Sequence, residues 1–579
     1  MDRTIRWRWA IALLLFTWGC GAPQKVTLEQ AADVASGGDV TLTEDPFVES
    51  DGIQTTEMAD TADTTESADT TETADNQCPP GFSGADCRFC TFATAGTMCH
   101  PMSVRDVFDI ASIQALSLAQ LRWSVTGTQR YNGVDVLTGR FFGGIFEAYD
   151  IDGNPKEIDL DYVAALYIPD GWPQPGDPTF ALVAGVHYET NLLQPVAAQI
   201  AKHFRIPVLY HGELIRDWKE LGFDSRGDLN QAGPPSVIKH NVCEPQDVVR
   251  GMFALAMARA DMHAITLIQR LAEKAGGQID KVAYRGFSKE GHAAWIVAVV
   301  DPRVEVVGPG GYQDQDVLKS AQVRMGSWGC YGDPAISDPN GPQSSAVYLD
   351  WLLNTPAGAA YQNLYSVQTN KALLYPRFIL MDGDVTASTM HDHLYALGSD
   401  TEFLDNLVEV PWRYVRKPGV TSGATDDDGD VIAKAVVPFL LVENLIAGPG
   451  SEDALYPKVK SANATIENDA LTVVANASKA TASMALYWSW SNDRIWNDVD
   501  QAKWKEVHLK KTGEGTWTSE PIPLPPGKVI GWYVEARNSV TLGQSEMTRT
   551  DAGAVHFLRE TPAITCQSEL PNWCGTHQP

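Results

Sequence analysis

The stretch RGFSKEGHAAW, residues 285–295, sets a serine among glycines. A strand-like run, Lys281–Phe287, feeds Ser288, and HAAWIVAVV follows as a helix. A sharp strand-to-helix turn of this kind lifts a hydroxyl above a sheet, where it can act as a nucleophile. The turn is tight enough to demand small neighbours. Gly286 meets that demand two positions before the serine, but position 290 is Glu and the next glycine is Gly291. The spacing is G-x-S-x-x-G rather than G-x-S-x-G. Two readings stay open: a nucleophilic serine, or a Gly-Ser turn without chemistry. In the first, the Lys289 backbone N–H aims at a developing oxyanion. The Lys289 ammonium adds charge there, or is a solvated lysine at a helix start. A second donor is expected near His187 and Tyr188, after the run Phe180–Val186, unless those residues only line the cleft. An acid is expected after a later strand, where RFILMDGD ends at Asp384. Asp384 is the first candidate, with helix capping as its plain alternative; Asp314 is the second.

Residues 178–447 carry the pattern that would position such a site. Short apolar runs read as strands: 180–186, 207–212, 281–287, 303–309, 377–384 and 408–416. Helical stretches lie between them, most clearly 247–277, whose apolar residues recur every three or four positions and which ends on Gly. Alternation of this kind implies a mostly parallel sheet covered on both faces. Alternating strand-like runs over 103–168 precede it. Between two of them, Asp150–Asn154 reads as an Asp/Gly turn, because the distant acidic ligand of a calcium loop is not at the required spacing. Half-buried strands separated by turns fill 457–560 and suggest a β-sandwich of immunoglobulin-like type.

Gly286-Phe287-Ser288-Lys289-Glu290-Gly291, Trp295 and Asp301-Pro302-Arg303-Val304 together resemble the PhoPQ-activated pathogenicity-related protein family. The resemblance covers roughly 180–560. It implies an α/β-hydrolase-type sheet flanked by helices, a sandwich-like tail, Ser288 as nucleophile and Asp384 as acid. A looser similarity, in the S-x-x-G-x-A form, is to glucuronoyl and acetyl xylan esterases. The family also implies a histidine in the loop after the last strand. Here that loop, KPGVTSGATDDDGDVIAK, has none. A serine hydroxyl is a weak nucleophile without a base in reach. His391 and His393, just after Asp384, are candidate substitutes or exposed helix residues. His211, at a strand end, is a further cleft candidate, and His292 is expected to point away along its helix. Asp426–Asp430, in the loop that lacks the histidine, could hold Ca²⁺ or be solvated. No other cofactor and no other metal is expected.

The 579 residues exceed one core, and the net charge is −29. Residues 21–77 hold fourteen of the acidic residues and one lysine. No basic patch with interleaved aromatics is visible, which argues against a nucleic-acid partner. The first twenty residues have a basic start and a short apolar run, Ile11–Trp18, as a signal peptide does. Thr17-Trp18-Gly19-Cys20 resembles a bacterial lipobox, with Thr17 where Leu is usual, so Cys20 is the expected lipidation site. Ordinary secretion is the alternative. Residues 21–77 then read as a disordered acidic tether. CPPGFSGADC resembles the closing half of an EGF-like module, within a Cys-rich knot at 78–102.

Eight further cysteines in an exported chain suggest disulfides. Local pairs would be Cys78–Cys87, Cys90–Cys99 and Cys566–Cys574, leaving Cys243 with Cys330; zinc on the Cys87–His100 group is the weaker reading. The expected order is therefore leader 1–20, tether, knot, hydrolase-like domain 103–450, sandwich 456–560 and a Cys-containing tail 561–579. The expected protein is an outer-membrane or cell-surface lipoprotein, otherwise periplasmic or secreted, that touches the membrane only through its N-terminal lipid. It either cleaves a small or polymeric ester or amide through an acyl-enzyme on Ser288, or is a non-catalytic surface binding or adhesion protein on a degenerate hydrolase fold.

Overall fold

The computed structural model describes residues 82–83, 89–90, 103–149, 155–186, 195–213, 253–287, 289–310, 316–319, 322, 345–384, 410–417, 436–491, 504–542, 545–552 and 556–558. Apart from 541–542 and 545–546, these fall in one compact unit.

Runs such as FALVAGV and KVAYRGF offer no polar face, so both sides of their strands must be covered. Their five central residues are all buried. They lie inside a nine-stranded sheet. Its strands are β1 (Ser124–Tyr131), β2 (Val134–Tyr149), β3 (Pro155–Pro169), β4 (Phe180–Val186), β5 (Val208–Glu213), β6 (Lys281–Phe287), β7 (Val304–Gly310), β8 (Phe378–Asp384) and β9 (Trp412–Lys417). Across the sheet they run β1-β2-β3-β5-β4-β6-β7-β8-β9. The pairs β1–β2, β2–β3 and β3–β5 are antiparallel. The rest are parallel. The chain leaves β4 toward β5 on one side and returns to β6 on the other. The strand order thus reverses at β4, the kind of position at which open α/β sheets place a binding crevice.

Helices cover both faces. The helices are α1 (Ile110–Ala115), α2 (Pro195–Phe204), α3 (Phe253–Lys274), α4 (Lys289–Val300), α5 (Ser345–Asn354), α6 (Pro356–Tyr365) and α7 (Val437–Ala447). On one face α3 packs on α4, with α1 over it. On the other, α7 crosses β4, β6, β7 and β8 beside α2. The helix expected over 247–277 is observed from Phe253 and stops at Lys274. Gly276 takes φ +82° there, and the Gly277 N–H donates to the Ala272 carbonyl at 2.9 Å, a glycine-closed helix end. β9 begins at Trp412, just after Pro411, which has no N–H to give a ladder.

The Asp301–Val304 motif proves to be a joint. The buried Arg303 side chain donates to Asp301 at 2.6 Å, to the Thr266 hydroxyl at 2.9 Å and to the Met262 carbonyl at 3.2 Å. One guanidinium thus ties the α4–β7 turn to the middle of α3.

Toward the C-terminus two five-stranded sheets face each other. Their strands include β10 (Val459–Glu467), β11 (Ala470–Ala477), β12 (Ser483–Ser491) and the long strand Val529–Leu542. Leu471 and Val473 from one sheet meet Leu486, Trp488, Ile530 and Trp532 from the other. Trp488 lies in this core, and the partly buried Trp490 packs on it at 5.5 Å between ring centres. Trp504, Val529, Tyr533 and Ala552 belong to the same apolar cluster as the central sheet. The Asp551 carboxylate accepts from the Tyr414 N–H of β9 at 3.0 Å and from the Val459 N–H at 2.7 Å. At the opposite edge of the central sheet, β1 is largely exposed, carries a register shift between Val125 and Gly127, and places Arg130 against Asp135 and Asp170.

Candidate active site

Ser288 falls between the end of β6 and the start of α4, and lies outside the described residues. The residues around it define the turn. A Cβ on Gly286 would stand 2.0 Å from the Glu290 carbonyl oxygen and 3.0 Å from Ala294 Cβ. A Cβ on Gly291 would stand 2.2 Å from the Gly310 carbonyl oxygen, at the end of β7. Both glycines are therefore required by close backbone approach. Gly286 permits the fold-back of α4 onto its own strand. Gly291 seats α4 on the neighbouring strand. The displaced second glycine marks a change in what the helix rests on, and the tight turn is kept.

Position 290 carries a buried Glu whose side chain turns inward. A Cβ on Gly185 would lie 2.8 Å from Glu290 Oε2 and 2.8 Å from the Tyr284 hydroxyl. Gly185 pairs in register with both Gly286 and His211, so the three strands meet at one level beneath the turn. There Asp261 of α3 faces Tyr284 and Glu290. His211 Nε2 is 3.4 Å from Asp261 Oδ1, and both side chains are fully buried. Burial pushes the His211 imidazole down to about 3 and the Asp261 carboxyl up to about 8, the latter opposed by its contacts with Tyr284 and Glu290. His211 is packed between Phe141 and Tyr162 rather than placed in a cleft, which corrects the sequence expectation. Its strand-end position suggested the cleft; the aromatic residues of β2 and β3 cover it.

On the other face of β6, Arg285 forms a buried ion pair with Asp382 of β8, at 2.8 Å and 2.9 Å. The same guanidinium donates to the carbonyls of Gly286 at 2.8 Å and Gly308 at 2.7 Å. Burial raises the Asp382 carboxyl, and Arg285 opposes the rise. The pair crosses the end of β7 over Gly310, where a Cβ would meet Arg285 at 2.1 Å. Arg285 lies three residues before Ser288, and Asp382 two before Asp384. The pair fixes the strand ends from which both candidate residues emerge. Sequence reasoning missed Arg285 and Asp382, although each is a charged residue inside an apolar run and so needs a buried partner.

Asp384 closes β8, in register with Lys417 at the end of β9; its side chain is outside the described residues, as is that of Lys289, the first residue of α4. His187, Tyr188, Asp314, His391, His393, Asp426–Asp430 and Asp150–Asn154 lie outside the described residues, as do Cys20, Cys78, Cys87, Cys99, Cys243, Cys330, Cys566 and Cys574. Cys90 ends a two-residue strand, Phe89–Cys90, that pairs with Phe82–Ser83. His292 is buried with its ring 5.3 Å from that of Tyr365. Among the described residues no cluster of three His, Cys, Asp or Glu is placed to hold a metal, and no helix is long and apolar enough to cross a membrane.

A sheet that begins antiparallel, inserts β5 between β3 and β4, and continues in parallel through β9 with helices on both faces is the α/β-hydrolase fold, here with one extra strand, β1, ahead of it. In that fold the nucleophile follows the strand at the position of β6. Residues 243–343, which hold α3, the turn and β7, match the family model of PhoPQ-activated pathogenicity-related protein. Among solved structures, the chain is similar to an acetyl xylan esterase from Paenibacillus sp. R4, at 13% identity and TM-score 0.35, over 57% of this chain and 92% of that one. It is similar to the rice cell wall degrading esterase LipA from Xanthomonas oryzae, at 13% identity and TM-score 0.30, over 59% and 95%. An S-formylglutathione hydrolase from Agrobacterium tumefaciens aligns at 10% identity and TM-score 0.29, over 55% and 99%. These likenesses are weak, and the fold assignment rests on the strand order. No curated protein matches.

Proposed function

We propose that the chain is an exported serine hydrolase that cleaves an ester or amide through an acyl-enzyme on Ser288. The observation that carries the reading is the turn after β6. Gly286 lies against the Glu290 carbonyl, so close that no side chain fits, at the end of the strand where the α/β-hydrolase fold places its nucleophile. In this reading the Ser288 hydroxyl attacks the substrate carbonyl. The Lys289 N–H and a donor from the loop after β4, at His187 or Tyr188, hold the oxyanion. Asp384 orients the base. The loop after β9 contains no histidine, so His391 or His393, close behind Asp384 in sequence, takes the proton and later delivers it to the leaving group. An N-terminal lipid on Cys20 would hold the protein at a membrane, with 21–77 as tether.

The missing loop histidine favours a second reading, a surface binding protein that keeps the fold without the chemistry. Labelling of the purified chain with a fluorophosphonate probe separates the two. Labelling that disappears in Ser288→Ala supports the hydrolase, and loss of labelling in a His391→Ala, His393→Ala pair would identify the base. A folded wild-type protein that never labels supports the binding reading.

A further inference from the structure

Glu290 occupies the position where a small residue is expected, and its carboxyl goes inward beneath Gly185. It meets Asp261 there, so two carboxyl groups share a closed site. Facing them are His211 from β5, Tyr284 from β6 and Tyr162 from β3; β4 contributes only Gly185. Arg285 points to the opposite face, toward Asp382. Neither Asp261 oxygen has a donor at ordinary hydrogen-bond geometry among the described residues, although Glu290 and Tyr284 are close. Two carboxylates cannot hydrogen-bond to each other, but a carboxyl and a carboxylate can. One proton between them removes a like-charge repulsion and supplies the missing donor. Glu290 stands in the first turn of α4, where the helix end favours the negative charge. The proton is shared by the pair: the helix end favours charge on Glu290, while the contact with Glu290 lowers the Asp261 carboxyl, so neither group holds it alone.

We propose that Glu290 is the positioning residue of the nucleophile turn, clamping the first turn of α4 to α3 through a single proton shared with Asp261. The inference deepens the hydrolase reading, because the clamped residue lies two positions after Ser288, but the clamp itself exists whether or not the serine reacts. Loss of that proton to hydroxide places two negative charges in one closed site and drives α4 away from the sheet.

The direction with pH follows from the two titrations. Asp261 is raised from its ordinary 3.8 to about 8, so the closed form holds a proton that the open form releases, and closure weakens as pH rises through that interval. His211 is lowered from 6.5 to about 3, so its contribution grows with pH and ends at 6.5. The two offset each other at acid pH, and Asp261 acts alone from about 6.5 to 8.

Hydrogen exchange at the amides of α4, corrected for its intrinsic pH dependence, reads the clamp directly. In the wild type the opening equilibrium should rise toward tenfold per pH unit between 6.5 and 8, the response of one proton. Glu290→Gln, whose amide donates to an ionised Asp261, should flatten that rise, and Asp261→Asn should do the same. Glu290→Ala should open α4 at every pH and slow fluorophosphonate labelling at least tenfold, with Glu290→Gln restoring most of it. A wild-type profile flat over this range, or a Glu290→Gln profile as steep as the wild type, would overturn the proposal. If the wild type does not label at all, the hydrolase reading fails, and the exchange profiles still decide the clamp.

Discussion

Gly286→Ala tests the turn with one methyl group. The added Cβ would sit 2.0 Å from the Glu290 carbonyl oxygen, against the 3.0 Å below which such contacts are essentially never found, so something must move by about 1 Å. The obstacle is backbone, and rotating a side chain cannot relieve it. Gly286 is held by its ladder to Gly185 and Pro309, and its carbonyl accepts from Arg285. Glu290 is held by the first turn of α4. The displacement therefore falls on the three residues between, Phe287, Ser288 and Lys289, of which Phe287 is itself paired with Gly310. Overpacking of a tight core costs roughly 1–3 kcal/mol. A shift of about 1 Å at a reacting group costs on the order of a hundredfold in rate. The variant should thus show a modest loss in urea stability and a far larger loss in fluorophosphonate labelling. Gly513→Ala is the matched control, since its nearest neighbour would be at 3.6 Å and its backbone is not left-handed; it should stay within about 0.5 kcal/mol. A Gly286→Ala protein that labels and melts like the wild type would refute the turn as described.

Three further outcomes follow from buried polar groups. Arg285→Met should destabilise the protein by roughly 3–5 kcal/mol in denaturant melts, because Asp382 is left as an unpaired buried carboxyl, and adding Asp382→Leu should recover much of the loss. His263 is held down to about 4, chiefly by burial, and its Nδ1 lies 2.9 Å from the Phe142 carbonyl. Its folded value is below the ordinary 6.5, so it contributes stability that is lost as pH falls from about 6.5 through 4. His263→Asn should remove up to about 1.4 kcal/mol per pH unit of slope from acid-denaturation curves over that interval, and an unchanged slope would contradict a neutral buried imidazole. Asp551→Ala strands the Tyr414 and Val459 N–H groups, at about 1–3 kcal/mol each, and proteolysis near 412–417 and 459 should rise if the carboxylate holds that junction.

The parts of this molecule that could be read from sequence are those decided within a few neighbouring residues. FALVAGV and KVAYRGF announced their strands because each is apolar on both faces. Gly286 and Gly291 announced the turn because only a backbone that approaches closely excludes every side chain. The β2–β3 pair was legible as strand-like runs, but its register shift at Gly143-Gly144 was not. Least legible were the partnerships made by the topology. Arg285 and Asp382 are 97 residues apart, and only the order β6-β7-β8 brings them together. In sequence Glu290 is only the residue that displaces the second glycine, until Gly185, Tyr284 and Asp261 close around it. His211 reads as a group at a cleft until the aromatic residues of β2 and β3 cover it.

Among the described residues the two outer strands of the nine-stranded sheet are guarded differently, with consequences for how the protein behaves in a crowd of its own copies. An open strand edge is a template for another chain. On the β9 side the outward Tyr414 N–H is already taken by a carboxylate, so an incoming strand finds its donor spent. On the β1 side no further strand pairs among the described residues, and protection comes from the register shift at Gly127 and the charges around Arg130. Self-association, if provoked by heat or by loss of charge, should therefore begin at β1. Neutralising Arg130, Asp135 and Asp170 together would turn the guarded margin into an adhesive one, while the β9 margin stays closed.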